Sequence, residues 1–148
     1  TPLYPYHLGH DFITDVLELR VTGSLAQPDA PEPEKSRWWS VLYALLEGAS
    51  EALQIRRNDL NGTRYYLPGG GAPALVLYDD VPGGAGHVRR VAEAWRPVFA
   101  AALERVARCG CGPETACHEC LWNYYNEPFH AVLSRGLAEG FLRGALGV

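Results

Sequence analysis

The sequence predicts a mixed α+β domain, α/β in the broad sense: a small sheet covered by amphipathic helices, with a four-cysteine loop between the last two helical regions. Three patterns carry this prediction. Apolar residues alternate at period two near the start of the chain, recur at helical spacing in long runs further on, and form one short unbroken run between turn residues in the middle. A length of 148 residues with 47% apolar composition suffices for one hydrophobic core, and two independent domains are not expected.

Residues 12–21 place Ile13, Leu17, Leu19 and Val21 on one face of a strand, and Asp15 shares that face. Residues 24–36 carry Pro28, Pro31 and Pro33 among acidic and small residues, which predicts an irregular connection. Trp38, Leu42, Leu45, Ala49 and Leu53 then recur at helical spacing, so 37–54 reads as an amphipathic helix. One or two short strands are expected within 55–67, around Asn61-Gly62, before a Pro-Gly-Gly-Gly loop. The apolar run Ala74-Leu75-Val76-Leu77-Tyr78 reads as a central strand covered on both faces. The turn Pro82-Gly83-Gly84-Ala85-Gly86 leads into a helix from His87, and Pro97 kinks that helix or opens a second one running to about Arg108. A last helix over 128–146 places Phe129, Leu133, Leu137 and Phe141 four residues apart.

Composition narrows the function classes. Charged residues at 20% and aromatics spread along the chain exclude wholesale disorder. A formal net charge of −4 speaks against a protein that coats nucleic acid by bulk electrostatics, so any such contact must be local. Nearly all the cations are Arg, which suits bidentate contacts to carboxylate or phosphate. No apolar run reaches the roughly 18 to 20 residues needed to cross a bilayer, and no signal-peptide pattern opens the chain, so a cytoplasmic location is expected. The chain begins at Thr1 and contains no Met, from which we expect a piece of a longer polypeptide.

The most specific feature is Cys109-x-Cys111-x5-Cys117-x2-Cys120. Two close cysteine pairs joined by turns at Gly110, Gly112 and Pro113 can bring four thiolates onto one tetrahedral Zn²⁺. An iron–sulfur cluster, disulfides and free thiols are the other uses of four cysteines, and His118 could replace one ligand. Four thiolates would saturate a zinc ion and leave no position for an activated water, which predicts a structural role for the metal.

Other residues invite chemistry less sharply. The glycine turn before His87, Arg89 and Arg90 could present backbone N–H groups to a nucleic-acid phosphate, or could simply let backbone pack closely. Asp15, Asp79 and Asp80 would make a nuclease-like carboxylate set if the strand ends converged. Asn123, Tyr124, Tyr125, Asn126, His130 and Arg135 follow the last cysteine and could stack on or hydrogen-bond single-stranded bases. The bland reading is that they cap the final helix and pack on the cysteine loop. Gly136, Gly140 and Gly144 make a small-residue stripe suited to close helix approach.

Four stretches together resemble the MrfA-type zinc-binding domain. They are Thr14-Asp15-Val16-Leu17, Tyr43-Ala44-Leu45-Leu46-Glu47-Gly48-Ala49, the segment from Leu77 through Pro82 and Gly86 to Arg90, and Cys117-x-x-Cys120-Leu121-x-Asn123-Tyr124-x-Asn126, extended by His130 and Arg135. In that family the domain lies at the C-terminal end of DEAD/DEAH-type helicases of DNA repair, and in related proteins of the DISARM antiphage system. The resemblance implies that Cys109, Cys111, Cys117 and Cys120 bind structural Zn²⁺. It also implies an accessory module, covering residues 1–148, that supports a helicase motor in the same or a partner chain, or helps it engage DNA. No Walker A segment or DEAD/DEAH tetrad occurs, so the isolated chain is not expected to hydrolyse ATP. The alternatives are a metal-dependent nuclease using Asp15, Asp79 and Asp80, and a pure protein-interaction domain.

Overall fold

The computed structural model describes residues 13–26 and 34–148. Three strands form one antiparallel sheet in the order β1-β3-β2, with β1 at Val16–Leu19, β2 at Leu60–Tyr65 and β3 at Ala74–Asp79. Four α-helices follow the order expected from the sequence: α1 (Glu34–Leu53), α2 (His87–Glu93), α3 (Trp95–Arg108) and α4 (Arg135–Leu146). The acidic, proline-rich connection lies largely outside the described residues. Its described start, Gly23–Ala26, is a short 3-10 turn.

β3 is the central strand, as its apolar run predicts. Its register pairs Leu77 with Leu17 on one side and Gly62 on the other, and Leu75 with Leu19 and Arg64. Successive side chains of a strand point to opposite faces. Leu75 and Leu77 are therefore buried on the helical side, while Val76 and Tyr78 on the other side are only half-buried. The second face is thus less covered than the sequence suggests, because all four α-helices contribute to a core on the first.

α1 is the organising element. Trp38, Val41, Leu42, Leu45, Leu46 and Ala49 are all buried, and the helix packs on the sheet, α3 and α4. Two glycines set how closely it approaches. A Cβ on Gly62 of β2 would lie 2.8 Å from Leu42 Cδ1 and 2.9 Å from the Val76 carbonyl oxygen. A Cβ on Gly48 of α1 would lie 2.6 Å from the Val98 carbonyl oxygen and 2.8 Å from Ala102 Cβ, both on α3. Gln54 ends α1 in the left-handed region (φ 53°), and Arg90 Nη2 donates to the terminal Leu53 carbonyl at 2.8 Å.

Pro97 opens a second helix. Ala94 breaks the helical path (φ −113°, ψ 37°) and Pro97 falls in the first turn of α3, where a missing N–H costs little. The last helical region departs from its four-residue apolar spacing. It divides into a 3-10 segment, Tyr124–Val132, and α4. Leu133 and Ser134 between them are extended, and the Ser134 hydroxyl accepts the Leu137 N–H as the cap of α4. The break arises because Ser134 is held from outside: its N–H donates to Ser40 Oγ and its hydroxyl donates to the Pro113 carbonyl, each at 2.8 Å.

Candidate metal centre

α3 ends at Arg108, and Cys109 leaves it in an extended conformation (φ −67°, ψ 138°), turning the chain into the cysteine loop. A turn closed by the Thr115 N–H on the Gly112 carbonyl brings the second cysteine pair back. The N–H groups of Cys120, Leu121 and Trp122 then converge on the Cys117 carbonyl at 3.0–3.1 Å, and the Cys117 N–H donates to Cys120 Sγ at 3.3 Å. These local bonds direct all four thiols to one point.

The four sulfurs lie within 4.8 Å of one another. Separations of 3.5 Å (Cys109–Cys111), 3.4 Å (Cys109–Cys117) and 3.8 Å (Cys111–Cys120) compare with about 3.8 Å for sulfurs placed tetrahedrally about 2.3 Å from a zinc ion. They are far longer than the roughly 2.05 Å of a disulfide, and all four cysteines are free thiols. The spacing fits one shared ion, whereas an iron–sulfur cluster distributes its cysteines over several. The Cys111 backbone N–H bonds the Cys109 sulfur and brings that thiol down to about 7, while burial raises Cys111 and pushes the fully buried Cys120 up to about 12. Four thiolates this close repel one another, and a bound dication removes that penalty. His118 is exposed and is not in the quartet. Its ring instead meets Trp122 and His130 edge-on, at 5.5 and 5.8 Å.

A second set of contacts holds the loop against the core. Arg135, on the first turn of α4, donates from Nε to the Cys111 carbonyl at 2.8 Å and from Nη1 to the Val106 carbonyl at 3.1 Å. The N–H groups of Arg135 and Gly136 bond the carbonyls of Thr115 and Pro113 at 2.9 and 2.8 Å. A Cβ on Gly136 would lie 2.7 Å from that Pro113 oxygen, so the close approach needs glycine there. From α3, Arg105 Nε donates to the Cys120 carbonyl at 2.6 Å. Arg105 also pairs with Glu51 and lies 3.7 Å from Glu47, which in turn bonds Arg57 (3.2 Å) and Asn123 Nδ2 (3.1 Å). Glu47 is thus the buried junction of α1, α3 and the segment after the last cysteine. Buried carboxylates need such partners. Neither Glu47 nor Arg105 stood out in the sequence as a site residue, although Glu47 and Gly48 lie inside the family-like Tyr43–Ala49 stretch.

Several residues singled out from the sequence are committed to internal contacts. Asn126 is fully buried: it bonds the Leu121 carbonyl and Asn123 in a reciprocal cap, and His130 Nε2 lies 2.8 Å from its Oδ1. His130 also stacks flat on Trp122 at 4.5 Å and 3°. Arg135 is taken up by the loop carbonyls and Arg90 by α1. His87 lies 3.9 Å from Asp59, and its Nδ1 is buried without a partner. Arg89, Tyr124 and Tyr125 are exposed.

The glycine turn already holds an anion. Both carboxylate oxygens of buried Asp79 accept backbone N–H groups from Ala85 (2.6 Å), His87 (3.1 Å) and Val88 (2.9 Å). Burial alone would raise this carboxyl, but the three N–H groups outweigh it and lower it below the ordinary value. Asp79 is therefore not available to join Asp15 and Asp80 around a metal. Among the described residues the cysteines form the one group placed to bind an ion. No helix among the described residues is long and apolar enough to cross a membrane.

Comparison with known proteins agrees with this geometry. The family described as MrfA Zn-binding domain matches residues 41–121, which include the α1 stretch around Glu47 and all four cysteines. The Druantia protein DruE of Escherichia coli (strain UMEA 4076-1) is 32% identical over 94% of this chain, which spans only 8% of that protein. Two crystal structures of the helicase MrfA share the fold. The one bound to DNA has a TM-score of 0.55 at 21% identity over 82% of this chain and 15% of its own. The one bound to DNA and AMPPNP has a TM-score of 0.53 at 19% identity over 71% and 14%. At these identities the likeness is one of fold.

Proposed function

The chain belongs to the MrfA Zn-binding domain family, and from that premise we propose that it is a non-catalytic, zinc-stabilised accessory module of a DNA helicase or helicase-associated protein. Cys109, Cys111, Cys117 and Cys120 hold the ion, which supplies a covalent-like tie between α3 and the loop that α4 grips. The observation that carries this reading is the convergence of four sulfurs within 4.8 Å of one another, a set that among the described residues includes no other ligating side chain. A saturated tetrahedral ion organises structure and leaves chemistry to a neighbour.

The module's setting is DNA repair or antiphage defence in the cytoplasm, with the motor domains of the same or a partner chain as its principal contact. Two likenesses support this: relatedness to a Druantia protein, and a fold shared with a helicase bound to DNA. Residues 1–148 act as one unit. Its engagement of single-stranded DNA draws on exposed groups, Arg89, Tyr124 and Tyr125 among them, rather than on the internally bonded Asn126, His130 and Arg135.

The test is metal content and its linkage to folding. One zinc per chain is expected, and Cys120→Ser or chelation should lower the melting temperature strongly, because metal affinity that exists only in the folded state is folding free energy. A Cys120→Ser protein that melts like the parent, or a purified chain that cleaves DNA or hydrolyses ATP unaided, would overturn the proposal.

A further inference from the structure

One row of stacked groups runs from the core to the surface and has no part in the metal centre. Phe129 of the 3-10 segment stacks on Trp39 of α1 at 4.3 Å. The Arg64 guanidinium lies over the other members of the row, 5.2 Å from the Trp39 ring and 5.2 Å from the Tyr66 ring, and Arg64 Nη1 donates to Tyr66 Oη at 3.0 Å. Arg64 and Tyr66 are two residues apart and so leave the β2 end on the same side, toward α1. Tyr66 terminates the row at the surface with 45% of its area exposed.

Two features of this row need explanation. The first is charge: no carboxylate among the described residues lies within ion-pair distance of Arg64, as is also true of Arg37, Arg56, Arg89, Arg90 and Arg96, but Arg64 alone of these is set between two rings, with the Tyr66 hydroxyl as its hydrogen-bond partner. The second is the exposed aromatic end, beside the Leu67–Gly71 loop. Gly69, Gly70 and Gly71 there all have positive φ, and a Cβ on any of them would meet nothing within 4 Å, so no side chain of this loop stands over the exposed Tyr66 ring from these three positions. A planar cation held between rings keeps its N–H edge for an anion, and an exposed ring offers a π-face that any base can cover.

We propose that the Tyr66 end of this row is a landing platform for an unpaired nucleobase of single-stranded DNA, with Arg64 holding the adjoining phosphate. The proposal rests on the reading that the module engages DNA, and names for it a surface at the end of β2, distinct from the glycine turn and from the exposed Tyr124 and Tyr125.

The experiment measures binding of a fluorescein-labelled oligothymidine to the zinc-loaded 148-residue chain by anisotropy across a salt series, with melting temperature as the check on folding. Tyr66→Leu should weaken binding roughly tenfold or more without changing the salt slope, whereas Tyr66→Phe should bind like the parent. Arg64→Ala should weaken binding and reduce the slope of log K against log salt by about 0.7, the share of one phosphate on a single strand. A parent that binds while the folded Tyr66→Leu and Arg64→Ala chains bind equally well would overturn the platform and leave the wider DNA reading standing. A parent that binds no DNA would overturn both. If Tyr66→Leu instead releases the module from its motor domains and keeps DNA affinity, the row is a protein interface and the proposal fails.

Discussion

Arg135 offers the sharpest test of how the metal centre is built. Its residue type and position suggest a DNA contact, but its guanidinium donates to the Cys111 carbonyl and to the Val106 carbonyl at the end of α3, and its side chain is only 12% exposed. Arg135→Ala removes charge-assisted bonds to both carbonyls. At about 1.5 kcal/mol each, the low end for charged donors to partly solvated acceptors, the loss is roughly 3 kcal/mol. For a chain of this size that corresponds to a fall in melting temperature of about 6–12 °C. Because the lost partner orients the backbone of a ligand, zinc affinity should also fall by about 10- to 100-fold, as for other supports one step removed from a metal. Arg135→Lys keeps the charge but not the planar fork, and should recover only part of each loss. The assays are a thermal melt and competition for zinc with a chromophoric chelator. A variant that melts within about 1 °C of the parent and holds zinc equally well, but loses DNA affinity, would refute the internal assignment.

Two further outcomes follow from packing and charge. Gly48→Ala should destabilise by at least about 1–3 kcal/mol, since the added methyl meets α3 backbone that cannot rotate away, and the thermal melt should drop while the zinc content stays at the parent value. Asp79→Asn should cost about 2–4 kcal/mol at neutral pH, because its amide group turns a donor toward N–H groups that need an acceptor. The Asp79 carboxyl is lowered in the folded state, so its contribution is complete above the unfolded value of about 3.9 and is lost as the pH falls through the lower folded value. The stability gap between parent and Asp79→Asn should therefore be constant from pH 7 to about pH 5 and close below about pH 4; a gap independent of pH would show that the ionised carboxylate is not what the turn binds.

What could be read from the chain alone was whatever depends on neighbours in sequence. The spacing of Cys109, Cys111, Cys117 and Cys120 made a shared metal ion the leading use of the four thiols, because the turns that join them are local. The apolar run from Ala74 to Tyr78 announced a central strand, and the periodicity of Trp38 to Leu53 announced α1. Tertiary structure decided the rest. Asn126, His130 and Arg135 carry side chains equally suited to a base, a phosphate or a backbone carbonyl, and only the arrival of Leu121, Asn123, Val106 and Cys111 beside them selects the internal partner. The glycine turn before His87 could hold any anion until β3 placed the Asp79 carboxylate in it. Spacing reveals geometry along a chain, but a polar group's role depends on which unmet donor or acceptor folding brings within about 3 Å of it, and that distance is set by the whole core.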